Sequence, residues 1–403
     1  MLNVLNDLNH PGLTHACCLE PRAFQTVACC LTSVAYLIFA VSLLLAHCAA
    51  AAETSRRADW EKTVAAAEKE GQVTPYIFDQ GPVTVEVVQA FERAFPKIKV
   101  NQLRARGSEL GPRIIAERRA GKYLVDVFTG GKGTAHGTLY IGQALAPLKP
   151  HLLLPDVVDE SKWWQGRHKY VDPEGKYIFA FVGNAGGVNI NYNKNLVNPK
   201  EFTSYWDLLQ PKWKGKIVAT DPRTRGMDTP LLFFYYHSKL GPEFMRRLYG
   251  EMDVTAARDY RQPVDWLATG KFWLCIPCVS DEIDNAMRQG LPVAQISALK
   301  EGLTLTSSGG TLSFMNQAPH PNAAKVFINW LLSRAGQAQI QKGRKDRPGT
   351  GSNSLRIDIA KNDVPEENLR TDGVQYFDGD DDRFSDRRPA EKLLNEIFGK
   401  PGK

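Results

Sequence analysis

Residues Asn191 to Asp228, NYNKNLVNPKEFTSYWDLLQPKWKGKIVATDPRTRGMD, decide how the chain is read. The stretch leaves an apolar run (Val188, Ile190, Tyr192) that alternates as a strand, and enters a turn-rich segment. Ser204 is placed to cap a short helix whose apolar side carries Trp206, Leu208 and Leu209, and Pro211 stops it. Trp213 supplies a bulky anchor, Lys214-Gly215-Lys216 turns the chain, and Ile217-Val218-Ala219 reads as a buried strand. That strand runs out into Asp221-Pro222-Arg223-Thr224-Arg225-Gly226, ahead of an apolar helix expected over 229–239. A polar loop with two arginines between a strand end and a helix start is where open α/β sheets hold ligands, because the helix N-terminus presents free N–H groups there.

The same strand, loop, helix design recurs upstream. After an amphipathic helix over 59–70, Val73 to Phe78 reads as a strand, followed by the loop Asp79-Gln80-Gly81-Pro82 and a helix carrying Val85, Val88, Phe91 and Phe95. Residues 98–103 alternate as one further strand, with Arg104, Arg106, Gly107 and Ser108 at its end and Ser108 as the expected cap of a helix reaching Arg119. Asp126-Val127-Phe128 is a short buried strand, and Thr129-Gly130-Gly131-Lys132-Gly133-Thr134 is the third loop of this kind. None of these loops ends in Gly-Lys-Ser/Thr at Walker A spacing, so a phosphate-cradling NTPase reading fails.

Strands at 177–182 and 187–192 are separated by Gly183-Asn184-Ala185-Gly186, a glycine-bearing crossing able to absorb backbone rotation. Downstream come helices expected at 242–249 and 262–269, an apolar strand over 271–279 and a helix over 280–288. A second crossing, Thr306-Ser307-Ser308-Gly309-Gly310, leads into a strand at 311–315 and a helix at 323–332. The tail after Pro348 reads as polar and irregular, closing on a short helix at 390–398. Asp378-Gly379-Asp380-Asp381-Asp382 reads as a solvated turn, since the twelfth position counted from Asp378 is Pro389 rather than the Glu of a calcium loop.

With 403 residues, 43% of them apolar and 23% charged, the chain is long enough for two cores and is neither disordered nor fibrous. Residues 1–52 read as a leader: the apolar run Val27 to Ala46 ends on Ala49-Ala50-Ala51-Ala52, the form of a cleaved signal peptide. An uncleaved anchor is the alternative, since about 20 apolar residues span a bilayer. Leu45-Ala46-His47-Cys48 outlines a lipoprotein signal in which His47 is a poor fit. Five of the seven cysteines lie in this leader, leaving Cys275 and Cys278. Losing Arg22, Asp7 and Glu20 with the leader moves the formal net charge from +6 to +7. The charges are interspersed, which calls for no nucleic-acid partner and suits an anionic solute.

The run YNKNLV…SYWDLLQPKWKGKIVATDP resembles the second-lobe entry of bacterial extracellular solute-binding proteins, in the branch that contains the periplasmic ferric-binding proteins. GGTLSFMNQAPHPNAAKVFINWLLSRAGQ (Gly309 to Gln337) is similar to that family's return helix, and QAFERAFPKIKV with Asp126-Val127-Phe128 to its first lobe. The resemblance implies an α/β fold of two Rossmann-like lobes, the type II periplasmic binding protein arrangement, with a ligand cleft between them. It divides the chain into a leader (1–52), a first lobe (53–183 and 309–403) and a second lobe (184–308). It also implies a periplasmic monomer that captures a small solute by cleft closure and delivers it to an inner-membrane ABC permease, with no enzymatic activity and no cofactor. A sensor subunit presenting its ligand to a membrane kinase is a further alternative.

Ferric-binding members of the family hold iron with adjacent tyrosines, helped by a His and a Glu. Against the shared landmarks Gln80 stands at the His, Gly131 at the Glu and Ser280-Asp281 near the tyrosine pair, while Tyr235-Tyr236 lies in an apolar helical run where core packing is expected. Direct iron ligation is therefore disfavoured, no metal site is expected, and a ferric chelate remains the alternative ligand. The expected ligand contacts are Arg223, Thr224 and Arg225 on one side, with Asp79, Gln80, Thr129, Gly130 and Gly131 on the other. Arg106, Ser108, Asn184, Ser280, Asp281 and Ser308 complete the set, and Asp221 or Asp228 could orient the arginines. Cys275-Ile276-Pro277-Cys278 allows a periplasmic thiol-disulfide protein, but its strand setting favours packing or a structural disulfide. Neither G-x-S-x-G nor HExxH occurs, so the sequence brings no hydrolase nucleophile and base together.

Overall fold

Two mixed sheets, each with its own hydrophobic core, carry the fold of the computed structural model, which describes residues 53–78, 82–224, 227–297, 299–342, 352–371 and 373–399. The leader therefore lies outside the described residues. Contacts gather the described residues from Asp59 onward into one unit. Among the described residues no helix is long and apolar enough to cross a membrane.

The first-lobe sheet runs Leu103–Ala105, Pro75–Phe78, Val127–Gly130, Thr311–Met315, Ile178–Ala180, Lys169–Tyr170. Its first three strands are parallel, and Thr311–Met315 is inserted antiparallel between Val127–Gly130 and Ile178–Ala180. The second-lobe sheet repeats this order as Thr255–Ala257, Ile217–Thr220, Leu274–Cys275, Ile190–Asn193, Val293–Ile296. Here Ile190–Asn193 is the antiparallel insert. Each lobe thus takes one central strand from the chain just after it has crossed over from the other lobe. Both inserts are buried along their whole length, including the polar Asn191, Asn193, Thr311 and Ser313.

The crossings are themselves strands. Asn184–Gly186 pairs antiparallel with Thr304–Thr306, and Phe377–Asp378 from the tail adds to Thr304–Thr306 in parallel. The predicted α/β, two-lobed organisation is what the chain forms, with differences at particular elements. The strand expected over 98–103 is two short ones, Lys99–Val100 pairing with Gln72–Val73 and Leu103–Ala105 pairing with Tyr76–Phe78. The strand expected over 271–279 is confined to Leu274–Cys275, because Pro277 cannot continue the ladder.

The tail departs furthest from expectation. Leu355 joins the first-lobe core, whereas Ala390, Leu393 and Leu394 of the closing helix Arg388–Phe398 join the core of the second lobe. Residues 390–394, grouped with the first lobe on sequence, therefore pack on the other side of the crossing. The Asp378–Asp382 segment is solvated only in part: Asp382 is exposed, whereas Asp380 is 5% exposed and receives Ser307 N at 2.6 Å and Ser307 Oγ at 3.0 Å.

Local signals explain the better-predicted elements. Ser204 accepts from Trp206 N and Asp207 closes a capping box, starting a short 3-10 segment at Tyr205–Leu209 whose Tyr205 hydroxyl donates to Val188 O at 2.8 Å. Helix Pro321–Leu332 begins with proline at its start, and Glu70 accepts from Asn322 N and Ala323 N there, satisfying free helix N–H groups with an anion. Gly336 is fixed by space: an added Cβ would stand 2.2 Å from Trp330 O.

Cys275 and Cys278 form a disulfide, with Cys275 fully buried and the pair closing the segment between a strand and the helix Ser280–Arg288. Burial of Cys275 removes it from attack and gives the bond a structural role. Replacing both cysteines by serine is expected to cost about 2 kcal/mol, the closure entropy of so short a loop. Urea midpoints of the variant and of the reduced wild type should then coincide.

Candidate functional site

The strand ends of the first lobe converge on the crossings. Gly130 O accepts from Thr311 Oγ1 at 2.7 Å, and a Cβ on Gly131 would lie 3.2 Å from Ser308 O, so the segment Thr129–Gly131, expected as a loop but strand through Gly130, ends directly beside the second crossing. Asn184 Nδ2 donates to Ser308 Oγ at 3.4 Å, joining the two crossings, while Asn184 Oδ1 accepts from Asn353 N at 2.8 Å. Ser308 has a positive φ of 51°, so the left-handed residue at this crossing is a serine. Gly310 is needed for closeness, since a Cβ there would meet Val182 at 2.4 Å.

Helix Gly107–Arg119 starts against this loop, because a Cβ on Gly107 would stand 2.4 Å from Thr134 Oγ1. Arg106 is the residue that precedes the helix and is exposed, whereas Ser108, expected as the cap, lies inside the first turn. Thr129, Gly130, Gly131, Asn184 and Ser308 are thus brought together, with Arg106 on the adjoining loop. Thr129 is buried and lines a small apolar cavity with Phe78, Val83 and Phe181. Asp79, Gln80 and Arg225 lie outside the described residues.

On the second lobe, Thr220 N donates to Pro277 O at 2.8 Å and Asp221 N to Ala257 O at 2.7 Å, which gathers three strand ends. Ser280 and Asp281 are exposed at the start of helix Ser280–Arg288, where Asp281 and Glu282 sit in the first turn and complement its dipole. Thr224 is half-buried, and its N donates to Asp221 O at 2.9 Å.

Arg223 behaves differently from expectation. Its guanidinium pairs with Asp221 at 2.7 Å and donates to Asn395 Oδ1 at 2.9 Å and Gly399 O at 2.7 Å, with the Phe398 ring beneath it. The fork is filled by the tail helix, and its role is to dock that helix on the second lobe. Asp228, considered as an orienter of the arginines, instead pairs with Arg387 of the same helix. Burial alone would raise the Asp221 carboxyl, but the bonds and charge from Arg223 hold it below the usual carboxylate range. A depressed carboxylate contributes stability above its unfolded value, near pH 4, and loses it as the pH falls through the folded value. The stability gap between wild type and Arg223→Gln should therefore shrink in denaturation curves taken below about pH 4.

Lys132, first residue of the short helical turn Lys132–Thr134, is committed to the tail as well: Nζ donates to Asp380 O at 2.7 Å and lies 3.7 Å from Asp382. Desolvation lowers its pKa against the pull of these acids. Neither Lys132, Lys169 nor Asn395 stood out on sequence, since their partners lie more than a hundred residues away. Tyr236 hydroxyl donates to Asp386 O at 2.7 Å, so this member of the adjacent tyrosine pair holds the tail. Among the described residues no group of three or more His, Cys, Asp or Glu side chains converges as a metal site.

The comparisons with known proteins agree with this architecture. No match is found among curated proteins. The structure of Trichodesmium IdiA (FutA) in complex with iron and citrate is 19% identical with a TM-score of 0.59, covering 82% of this chain and 100% of its own. The Campylobacter jejuni ferric binding protein is 16% identical with a TM-score of 0.57, covering 81% and 99%. AfuA from Actinobacillus pleuropneumoniae, with fructose-6-phosphate bound, is 19% identical with a TM-score of 0.53, covering 81% and 97%. These likenesses concern the fold. The family model described as bacterial extracellular solute-binding protein matches residues 86–364. With two lobes built on one strand order and joined by paired crossings, the chain belongs to the bacterial extracellular solute-binding proteins, the solute-binding components of ABC importers.

Proposed function

We propose that this protein works in the periplasm, exported by its N-terminal leader, as a monomer that closes its two lobes around a small anionic solute and presents the closed form to an inner-membrane permease. The observation that carries the reading is the convergence of Thr129–Gly131, Asn184 and Ser308 on the crossings, with the exposed Arg106 on the adjoining loop. Backbone N–H groups at strand ends and an exposed guanidinium recognise carboxylate or phosphate oxygens. Contacts made by both lobes favour the closed state only to the extent that they differ between open and closed forms. Asp281, exposed on the second lobe, would read a hydroxyl or an amine of the same solute.

A ferric chelate is the second reading, favoured by similarity to a fold whose relative is described with iron and citrate. In that case the protein contacts the chelator's carboxylates, and by the sequence landmarks Ser280 and Asp281 fall near the position at which the resembled family carries its tyrosines. Thermal-shift titration with ferric citrate, a sugar phosphate, dicarboxylates and a polyamine separates the readings. A true solute at a hundredfold excess over its dissociation constant adds roughly 2.7 kcal/mol of stability. Stabilisation by the polyamine alone would overturn the anionic reading, and stabilisation by bare ferric ion would overturn the chelate. Arg106→Ala and Arg225→Ala are each expected to weaken the stabilising anion tenfold or more, since a charge-assisted hydrogen bond contributes about 1.5–3 kcal/mol. Unchanged affinity in a calorimetric titration removes that arginine from the site.

A further inference from the structure

The C-terminal tail touches every part that hinge bending must move. Strand Phe377–Asp378 lies on the crossing strand Thr304–Thr306. The turn after it is fixed to the first lobe and the crossing: Lys169 pairs with Asp378 at 2.8 Å, Asp380 takes Ser307 N and Oγ, and Lys132 reaches Asp380 O and Asp382. A few residues on, the tail is fixed to the second lobe, where Tyr236 hydroxyl donates to Asp386 O and Arg387 pairs with Asp228 and donates to Arg223 O at 3.0 Å. Phe384 sits between the two, its ring 4.9 Å from Phe377 and 5.7 Å from Tyr236.

We infer that residues 378–387 are a strap spanning the two lobes, which limits how far the cleft opens and must be slackened or repacked for the hinge to move. The inference rests on the closing-lobe reading above. Its geometric basis is reach. Four residues lead from Asp382, the last side chain paired to the first lobe, to Asp386, the first residue hydrogen-bonded to the second, a span of about 14 Å even when fully extended, while the Phe377 and Phe384 rings also pack on Phe233 and Tyr236 of the second lobe. Three of the residues from Asp382 onward are coiled in a 3-10 turn, which shortens the span further. A tether this short acts in series, so it holds only while both ends hold. That property separates a strap from a set of independent stabilising contacts.

The test is hydrogen exchange on the ligand-free full chain, read at the crossing strands Asn184–Gly186 and Thr304–Thr306. Asp382→Ala loosens the first-lobe end by moving its last anchor back to Asp380, and Arg387→Ala loosens the second-lobe end, where Tyr236 still holds Asp386. Each is expected to speed exchange at both crossings by about tenfold, the effect of removing roughly 1.4 kcal/mol from a local opening, and the double variant should add nothing to either single one. Inserting Gly-Ser-Gly between Ser385 and Asp386 keeps both anchors and should give the same acceleration, which decides the matter if a point variant fails to fold. Effects confined to the mutated end, or adding in the double variant, overturn the strap. Failure of every anion to bind overturns the closing-lobe reading instead and leaves the exchange result standing.

Discussion

Asp380→Ala is expected to lower the unfolding free energy by about 3 kcal/mol, because it strips a buried carboxylate from partners that stay buried. Ser307 N and Oγ lose their acceptor, and Lys169, 3.4 Å from Asp380, keeps only Asp378. Asp380→Asn is the control. Burial raises the Asp380 pKa despite the Lys169 charge, so the ionised group carries a desolvation cost at neutral pH. Asparagine keeps an acceptor for Ser307 without that cost, and its effect should be well under half that of alanine. Denaturant midpoints of the three proteins check the order. An equal loss for Asn and Ala would show that the charge pair with Lys169, rather than the hydrogen bonds to Ser307, carries the stabilisation.

Arg356→Ala should be of similar or larger size, about 3–5 kcal/mol, by the same logic of leaving partners of a buried charge unpaired. The side chain is fully buried, forms two bonds to Asp358 at 2.9 and 2.7 Å, donates to Asp156 O and Leu332 O, and lies over the Trp163 ring. Its backbone bridges Trp163, so it clamps the tail to the first lobe. Arg356→Lys is not expected to rescue, since one ammonium cannot reproduce a planar fork against a carboxylate and two carbonyls. Full rescue by lysine in a chemical-denaturation curve would mean that charge alone mattered.

The sequence was most legible where local chemistry decides structure. The Ser204 capping box, the helix Ser280–Arg288 and the strand Thr311–Met315 follow from residues within a few positions of one another. Alternating apolar positions located the two strands that become the inserts, while the division into two lobes came from the family resemblance. Tertiary partners decided the rest. Arg223 looked like a ligand fork because nothing nearby in sequence competes for it beyond Asp221, yet a helix more than 170 residues later fills it. Asp378–Asp382 read as solvated because a run of acids is expensive to bury, and its central Asp380 is buried here because Lys169, Lys132 and Ser307 come from distant elements. Of the candidate ligand contacts, backbone geometry joins the first-lobe loop to the crossings, while the side chains that would choose the solute sit on loops whose directions no periodicity encodes.

The most direct test of the central claim is small-angle X-ray scattering of the exported protein with and without each candidate anion, beginning with ferric citrate and fructose-6-phosphate. Closure of two lobes around a solute predicts that an anion which raises thermal stability also reduces the radius of gyration, and that Arg106→Ala removes both effects together. An anion that binds and stabilises while the radius of gyration stays fixed would contradict the account.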